Sequence, residues 1–477
     1  MAMMSIGRAI GWLAQQQPDA PLITHEGTTI TRAEFERRTN RLARDYAQRG
    51  VKQGDFVTIA LPNSIEFYEA SVATWKLGAT PQPISARLPA IERQAIIELA
   101  KPSLVVGLDE ADAHGVPAVP AGHAPQDVLE DGPPADRTAP SLKAPTSGGS
   151  TGRPKIIVSA LKGETDPEAG DPRTQLVPGP LYHNAPFLFS TRGLFGGAHI
   201  VLMTRFDAET ALQLMDAHRV QYVIMVPTMM QRIWRLPEET RAGFDLSSLD
   251  VLLHMAAPCP AWLKQAFIDW LGAEKIHELY AGTEAQVATY LTGTEWLAHR
   301  GSVGKPMSGE IRILDEDGKQ LPPGEMGEVF MMAAGGQGST YRYVGAEAKA
   351  RGGWESLGDM GYVDEDGYLY LGDRQTDMIL SGGANIYPAE VEAAVDAHPA
   401  VRSSAAIGLP HEDMGQAVHA IVDIADAELD EATLLAFLGE RLARYKVPRT
   451  LEFVREPVRD DAGKVRRSAL RDERVKA

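Results

Sequence analysis

The 477-residue chain holds a single cysteine, Cys259. One thiol can make neither an internal disulfide nor a multi-cysteine metal site, so a disulfide scaffold is excluded and a reducing, cytoplasmic setting is expected. Between prolines in "APCPAW", Cys259 reads as small filler; a lone nucleophile is the less favoured alternative, because no partner is evident. No uninterrupted apolar run nears the roughly 20 residues of a membrane helix. The N-terminal "MAMMSIGRAIGWLAQQQPDAP" is too interrupted for a secretory apolar core. Basic residues are scarce as well: 47 Lys plus Arg face 64 Asp plus Glu, a net charge of −17. Such a field argues against a nucleic-acid binder while leaving room for a local cationic pocket. Aromatics supply only 7% of residues, yet 44% of the chain is hydrophobic, enough for several cores at this length. A soluble, acidic, intracellular protein of two to four domains is expected.

Helical spacing of apolar residues over 32–49 leads into the strand-like "FVTIAL", and "SIEFYEASVATWKLGA" reads as a further helix. Short Val/Ile/Leu runs follow in "SLVVGL", "AHIVLM", "VQYVIMVP", "LDVLLHMA" and "IHELYA". Short apolar strands alternating with helical patterns predict a mostly parallel sheet covered by helices. Between Asp109 and Pro145 the composition shifts to Ala, Pro, Asp and Gly, which is loop chemistry. From Ser302 the pattern becomes antiparallel: "EIRILDEDGKQLPPGEMGEVFMM" and the second "DEDG" at Asp364–Gly367 read as hairpins. After Arg374 the chain reads as a compact α+β unit with helices near Pro388–Ala397 and Glu431–Leu442, strands in "RSSAAIGL" and "QAVHAIVDI", and a polar tail. The domain boundary is expected near Gln375 to Asp377.

The sharpest local feature is "TSGGSTGRPK", Thr146 to Lys155. Three glycines let successive amides turn toward an anion, Ser147, Ser150 and Thr151 add hydroxyl donors, and Lys155 adds a point charge. By chemistry this is a phosphate cradle, although it lacks the P-loop ending; on composition alone a flexible linker is an equal reading. Glu284 in "ELYAGTEAQ" lies with Thr283 at the carboxyl end of an expected strand, where open α/β sheets bind ligands. It suits a hard cation such as Mg²⁺, or else a solvated helix-start carboxylate. Asp359 and Arg374 fall in expected glycine-flanked turns, and Lys464 follows a glycine in a charged tail.

In this order, these segments resemble the acyl-adenylate-forming superfamily of acyl-CoA synthetases, peptide-synthetase adenylation domains and beetle luciferase, from "GTTITRAEFERRTNRLA" to the end of the chain. The resemblance implies an α/β fold. A large N-terminal domain (1–375) of helix-covered, mostly parallel sheets plus a β-rich subdomain would bind ATP and the acyl group. A small mobile α+β C-terminal domain (376–477) would follow. It implies that Thr146, Ser147, Gly148, Gly149, Ser150, Thr151 and Gly152, with Lys155, cover the ATP β- and γ-phosphates. Ala256, Ala257 and Pro258 in "HMAAPCP" would form the adenine side, with Tyr280 stacked on the base. Thr283 would meet the α-phosphate, Glu284 the Mg²⁺, and Asp359 and Arg374 the ribose. Lys464 would be the adenylation lysine, and Gly382 and Gly383 would flank the pantetheine tunnel for CoA. His183 in "PLYHNAPF" matches the family's gate between acyl pocket and tunnel; read alone, it is a packed core histidine.

Two departures from the family pattern matter. The hinge position after Arg374 is Thr376 in place of Asp or Lys. The stretch "IIVSALKGETDPEAGDPRTQ" after the cradle, with "HMAAPCPAWLKQAF" and "TGTEWLAHRGSVGKP", is similar to bacterial ligases of steroid or bile-acid side chains and other bulky acids. Gly282 is expected to widen the floor of the acyl pocket, with Phe187, Met225, Met229 and Met255 as an adaptable apolar wall. The implied activity is ATP- and Mg²⁺-dependent activation of a bulky aromatic, polycyclic or steroidal acid, then transfer to CoA. An amide synthetase passing the acyl group to an amine is the alternative, a catalytically silent nucleotide binder the remote one. No nucleic-acid partner and no membrane span are expected, and a homodimer is compatible with the reading.

Overall fold

Several helices start at side-chain caps. Thr31 accepts from the Glu34 amide to open helix Arg32–Gln48, Ser64 does the same for Ile65–Lys76, and Asp207 for Ala208–Ala217. The computed structural model describes residues 3–125, 129–148, 154–374, 377–381, 384–424, 429–460 and 463–476, with 147, 148, 373, 374, 385 and 476 described by their backbone alone.

Among the described residues, the largest sheet has nine strands in the order Lys305–Pro306, Ala288–Thr292, Ile276–Ala281, Val251–Met255, Tyr222–Met225, Gln175–Val177, Ile200–Leu202, Pro21–His25 and Thr28–Thr31. Every pairing from Ile276–Ala281 across to Pro21–His25 is parallel, as the apolar runs predict. A second, wholly parallel sheet orders Thr80–Pro83, Phe56–Ile59, Leu104–Val106 and Ala118–Val119. Between the two sheets, helix Ile65–Lys76 sends Trp75 into the core, where it stacks on Phe187 of helix Asn184–Phe195 with centroids 5.7 Å apart.

The β-rich part is antiparallel, as expected: Glu310–Leu314, Gly327–Met332, Trp354–Val363 and Lys349–Arg351, with Leu369–Arg374 paired onto Trp354–Val363. Tyr341–Val344 instead leaves its sequence neighbours and pairs with Pro154–Ser159, which pairs in turn with Thr146–Gly148. The C-terminal sheet orders Ala384–Ile386, Ile379–Ser381, Gly415–Ile424 and Val401–His411, with Thr450–Val454 added in parallel to Gly415–Ile424. Helices Pro388–Asp396 and Glu431–Gly439 pack on its core.

The polar tail forms a helix, Arg467–Lys476, anchored by Arg474, whose guanidinium donates Nε to Glu452 Oε2 at 2.6 Å and Nη2 to Oε1 at 2.8 Å. A two-pronged carboxylate pair can hold a polar helix that buries little apolar surface. Asp359 and Arg374 lie on strands, not in turns, and face each other across the Trp354–Val363/Leu369–Arg374 pairing.

Candidate active site

Parallel strands end together, so the loops after them share one edge of the sheet, and there the chemistry collects. Val226–Thr228 follow Tyr222–Met225, Ala256–Pro258 follow Val251–Met255, and Gly282–Glu284 follow Ile276–Ala281. Ala256 and Ala285 hold φ of +73° and +55°. For an alanine that left-handed backbone costs about 1–2 kcal/mol, and such strain gathers where loops are shaped for ligands.

Glu284 is 5% exposed, which removes the reading as a solvated helix-start carboxylate. Its Oε1 accepts from Lys155 Nζ at 3.1 Å and from the Tyr343 hydroxyl at 2.6 Å, and its carbonyl accepts from Thr340 Oγ1 at 2.8 Å. Lys155 also lies over the Tyr343 ring, 4.1 Å from its centroid. Burial, reinforced by the bond to Glu284, drives the Tyr343 phenol far above its ordinary value, so it stays a proton donor. Among the described residues no three His, Cys, Asp or Glu side chains cluster to hold a metal ion. One buried carboxylate suits Mg²⁺ if substrate phosphates and water supply the remaining oxygens.

Tyr280 donates its hydroxyl to Asp359 Oδ2 at 2.6 Å, joining the expected base-stacking and ribose residues across two sheets. Thr146 Oγ1 accepts from Gln82 Nε2 at 2.7 Å, and fully buried Gln82 in turn accepts from Thr58 Oγ1 at 2.6 Å, so the first hydroxyl of the expected cradle is anchored from the second parallel sheet. Gly149, Ser150, Thr151 and Gly152 lie outside the described residues, as do Thr376, Gly382 and Gly383; for Ser147, Gly148 and Arg374 only the backbone is described.

The Lys464 loop meets the same edge. Asp460 shapes it: its Oδ1 accepts from the Lys464 amide and its carbonyl from the Gly463 amide, at 2.9 and 2.8 Å. Gly463 has φ of +74°, and a Cβ there would come within 3.1 Å of Thr228 Oγ1 and 3.7 Å of Val226 Cγ2. Glycine relieves both the strain of that backbone angle and the crowding against Thr228. Further along the helix that carries Thr228, Pro227–Trp234, Gln231 Nε2 and Nη2 of the C-cap residue Arg235 donate to the Asp396 carbonyl at 3.0 and 3.1 Å.

The expected acyl wall is not one wall. Phe187 is 1% exposed and locked between Trp75 and Phe67 in the core. Alternation along the strands sends Met225 toward the cluster of Leu212, Met215 and Leu263, and Met255 to the other face, beside Phe189, Ile224 and Leu279. Met229 borders a groove with Thr228, Arg232 and Asp460. Nor does Gly282 open a floor, since a Cβ there would meet Leu357 Cδ1 at 2.4 Å and Glu284 Oε2 at 3.0 Å. The glycine makes room for those side chains. A separate cleft runs between helix Asn184–Phe195 and the sheet, lined by Val177, Gly179, Pro186, Ser190, Tyr222 and Ile224.

His183 is the N-cap residue of that helix, with its ring 4.4 Å from that of Tyr182. Sequence reasoning passed over Lys143, three residues before the cradle. Lys143 is 4% exposed, and its ammonium donates to Asn184 Oδ1 beside His183. Burial and the nearby Arg192 lower its pKa to about 8, against the pull of Glu284. Tyr343 was missed too, because only strand pairing brings it to Lys155.

The AMP-binding enzyme family model matches residues 11–341, and the AMP-binding enzyme C-terminal domain model matches 390–464. The chain belongs to this family, the acyl-adenylate-forming enzymes. A feruloyl-CoA synthase from Amycolatopsis is 34% identical, covering 96% of each chain. The o-succinylbenzoate CoA synthetase of Bacillus subtilis, solved with its acyl-adenylate, superposes with a TM-score of 0.82 at 25% identity over 99% of both chains. That synthetase is also known with ATP and a magnesium ion, at 26% identity, a TM-score of 0.80 and coverage of 98% of this chain and 100% of that one. The amide bond synthetase McbA from Marinactinospora thermotolerans superposes at 0.79 with 26% identity, covering 98% of this chain and 99% of McbA. No helix among the described residues is long and apolar enough to cross a membrane.

Proposed function

We propose that this chain is an ATP-dependent, AMP-forming carboxylic acid:CoA ligase acting on a bulky, chiefly apolar acid. The observation that carries the reading is the seating of the Gly463–Lys464 loop on Thr228, at the same sheet edge as Glu284. A cationic side chain from the far end of the sequence would thereby join the buried carboxylate around one triphosphate.

The acid's carboxylate oxygen attacks the α-phosphorus, the bond to the β-phosphate oxygen breaks, and pyrophosphate leaves. Lys464 and Lys155 stabilise the charge gathering on the phosphoryl oxygens, which preorganised groups do at no reorganisation cost. Glu284 would hold Mg²⁺, whose chemistry here is Lewis-acid neutralisation of phosphate charge. Tyr343 and Lys155 fix the Glu284 carboxylate, Tyr280 and Asp359 receive the nucleoside, and Ala256–Pro258 form the adenine ledge. The CoA thiol then attacks the acyl carbonyl, losing its proton, and AMP departs with the carboxylate oxygen. Residues 376–477 would act as the mobile unit that withdraws Lys464 between the two steps, with Thr376 at the hinge, Gly382 and Gly383 along the pantetheine path and His183 at its mouth.

The cleft bounded by Pro186, Ser190, Tyr222 and Ile224, rather than the expected Phe187 wall, would take the acyl group. Pro186, Tyr222 and Ile224 give these walls an apolar and aromatic character, which supports an apolar acid. The fold is shared by an amide bond synthetase, which keeps transfer to an amine as the second reading. Incubation of a mixed acid panel with ATP, Mg²⁺ and either CoA or amines, read by mass spectrometry, tests both: thioesters of bulky aromatic or polycyclic acids are expected. Faster turnover of short fatty acids would overturn the substrate class, and amides in place of thioesters would overturn the acceptor.

A further inference from the structure

A lysine side chain has four rotatable bonds, so it acts at a defined point only if its loop is fixed. Arg459 precedes Lys464 and Arg467, the first residue of helix Arg467–Lys476, follows it, and both arginines converge on one carboxylate in helix Pro388–Asp396. Glu392, 3% exposed, accepts Arg459 Nη2 on Oε2 at 2.6 Å and Arg467 Nη2 on Oε1 and Oε2, each at 2.9 Å. Arg467 Nε at 3.2 Å and the Ala406 amide at 2.8 Å complete its Oε1. The arginines reach onward: Arg459 Nη1 donates to the Gly463 carbonyl at 3.2 Å, next to Lys464, and Arg467 Nη1 to Asp377 Oδ2 at 3.0 Å, beside the expected hinge.

We infer that Glu392 is a positioning residue for Lys464, a buried anion that clamps both ends of the lysine loop and ties them to the chain beside the hinge. The inference rests on the ligase reading above. A carboxylate kept only to hold the C-terminal unit together would serve both half-reactions equally, because that unit takes part in each. A carboxylate that aims Lys464 serves adenylation alone. Its bonds within the unit move with it, so the clamp survives rotation and the lysine returns to the same place on every cycle.

The test compares Glu392→Gln, and Arg459→Met, which cuts the loop from the carboxylate while Arg467 keeps that carboxylate paired. Acid-dependent exchange of pyrophosphate into ATP is measured beside thioester formation from supplied acyl-adenylate and CoA, which also reports whether the C-terminal unit is folded. Misplacement of a reacting group by about 1 Å can cost about 100-fold. The exchange kcat is therefore expected to fall about 10- to 100-fold, with KM for ATP and the thioester step changed less than about threefold. Glu392→Asp, which keeps the charge, is expected to recover part of the loss. Unchanged exchange in Arg459→Met, or parallel loss of both half-reactions in either variant, overturns the inference. If the wild-type enzyme shows no acid-dependent exchange, the ligase reading has failed; if Lys464→Ala retains exchange, the lysine is not the adenylation residue and the clamp inference is overturned.

Discussion

The hydroxyl of Tyr343 donates to Oε1 of Glu284 at 2.6 Å. This bond joins a strand of the small antiparallel sheet to the loop beyond the main parallel sheet, and Lys155 shares the same acceptor oxygen. Groups one step behind a metal-binding carboxylate set its orientation, and their loss typically costs 10–100-fold in affinity or activity. Tyr343→Phe is expected to raise the Mg²⁺ concentration for half-maximal pyrophosphate release by about tenfold or more. Glu284→Gln should cost more still. A Tyr343→Phe enzyme with unaltered Mg²⁺ dependence would detach Tyr343 from the site.

Lys464→Ala is expected to abolish acid-dependent pyrophosphate exchange while leaving thioester formation from supplied acyl-adenylate largely intact. The lysine is assigned to charge that exists only in the first step. Equal loss of both half-reactions contradicts that assignment.

Lys143 carries a stability cost with a defined pH signature. Its folded pKa of about 8 lies below the ordinary 10.5, so the unfolded chain holds the proton more tightly. Wild-type stability should rise between pH 8 and 10.5, the full contribution being present above 10.5 and lost as pH falls through 8. The limit is about 3 kcal/mol. Lys143→Met should therefore melt higher than wild type at pH 7 and lose most of that pH slope, as denaturant titrations across the range would read. A variant that melts lower at pH 7 shows that the bond to Asn184 outweighs the burial cost.

Phe187 separates a core role from a pocket role. Phe187→Ala removes a ring stacked on Trp75 and should cost about 3–5 kcal/mol of stability, with the order of preference among acids unchanged. A shifted acid preference with little change in melting temperature would return Phe187 to the acyl wall.

What the sequence disclosed and what it hid divide along physical lines. Runs such as "YVIM" and "VLLHM" are buried on both faces, and with glycine and proline between them they announce parallel strands locally. Glu284 was legible because it stands just beyond such a strand. Tyr343 was not, because its approach to Lys155 depends on the pairing of Tyr343 with Ile157 across the chain, and no spacing records that register. Phe187 misled because an apolar residue on a helix between two sheets has a core on one side and a cleft on the other. Asp359 and Arg374 misled because glycine near a strand end reads as a turn, whereas here it accompanies a register shift between Asp359 and Gly361. The tail helix Arg467–Lys476 was hidden because charge pairing, not an apolar stripe, holds it.

The central claim is that a carboxylate oxygen attacks the α-phosphorus at the edge shared by Glu284 and Lys464. The most direct measurement supplies a turned-over acid with both carboxylate oxygens labelled as oxygen-18, together with ATP, Mg²⁺ and CoA, and weighs the products. The account predicts one labelled oxygen in AMP and none in pyrophosphate; label in inorganic phosphate, with ADP as the nucleotide product, would contradict it.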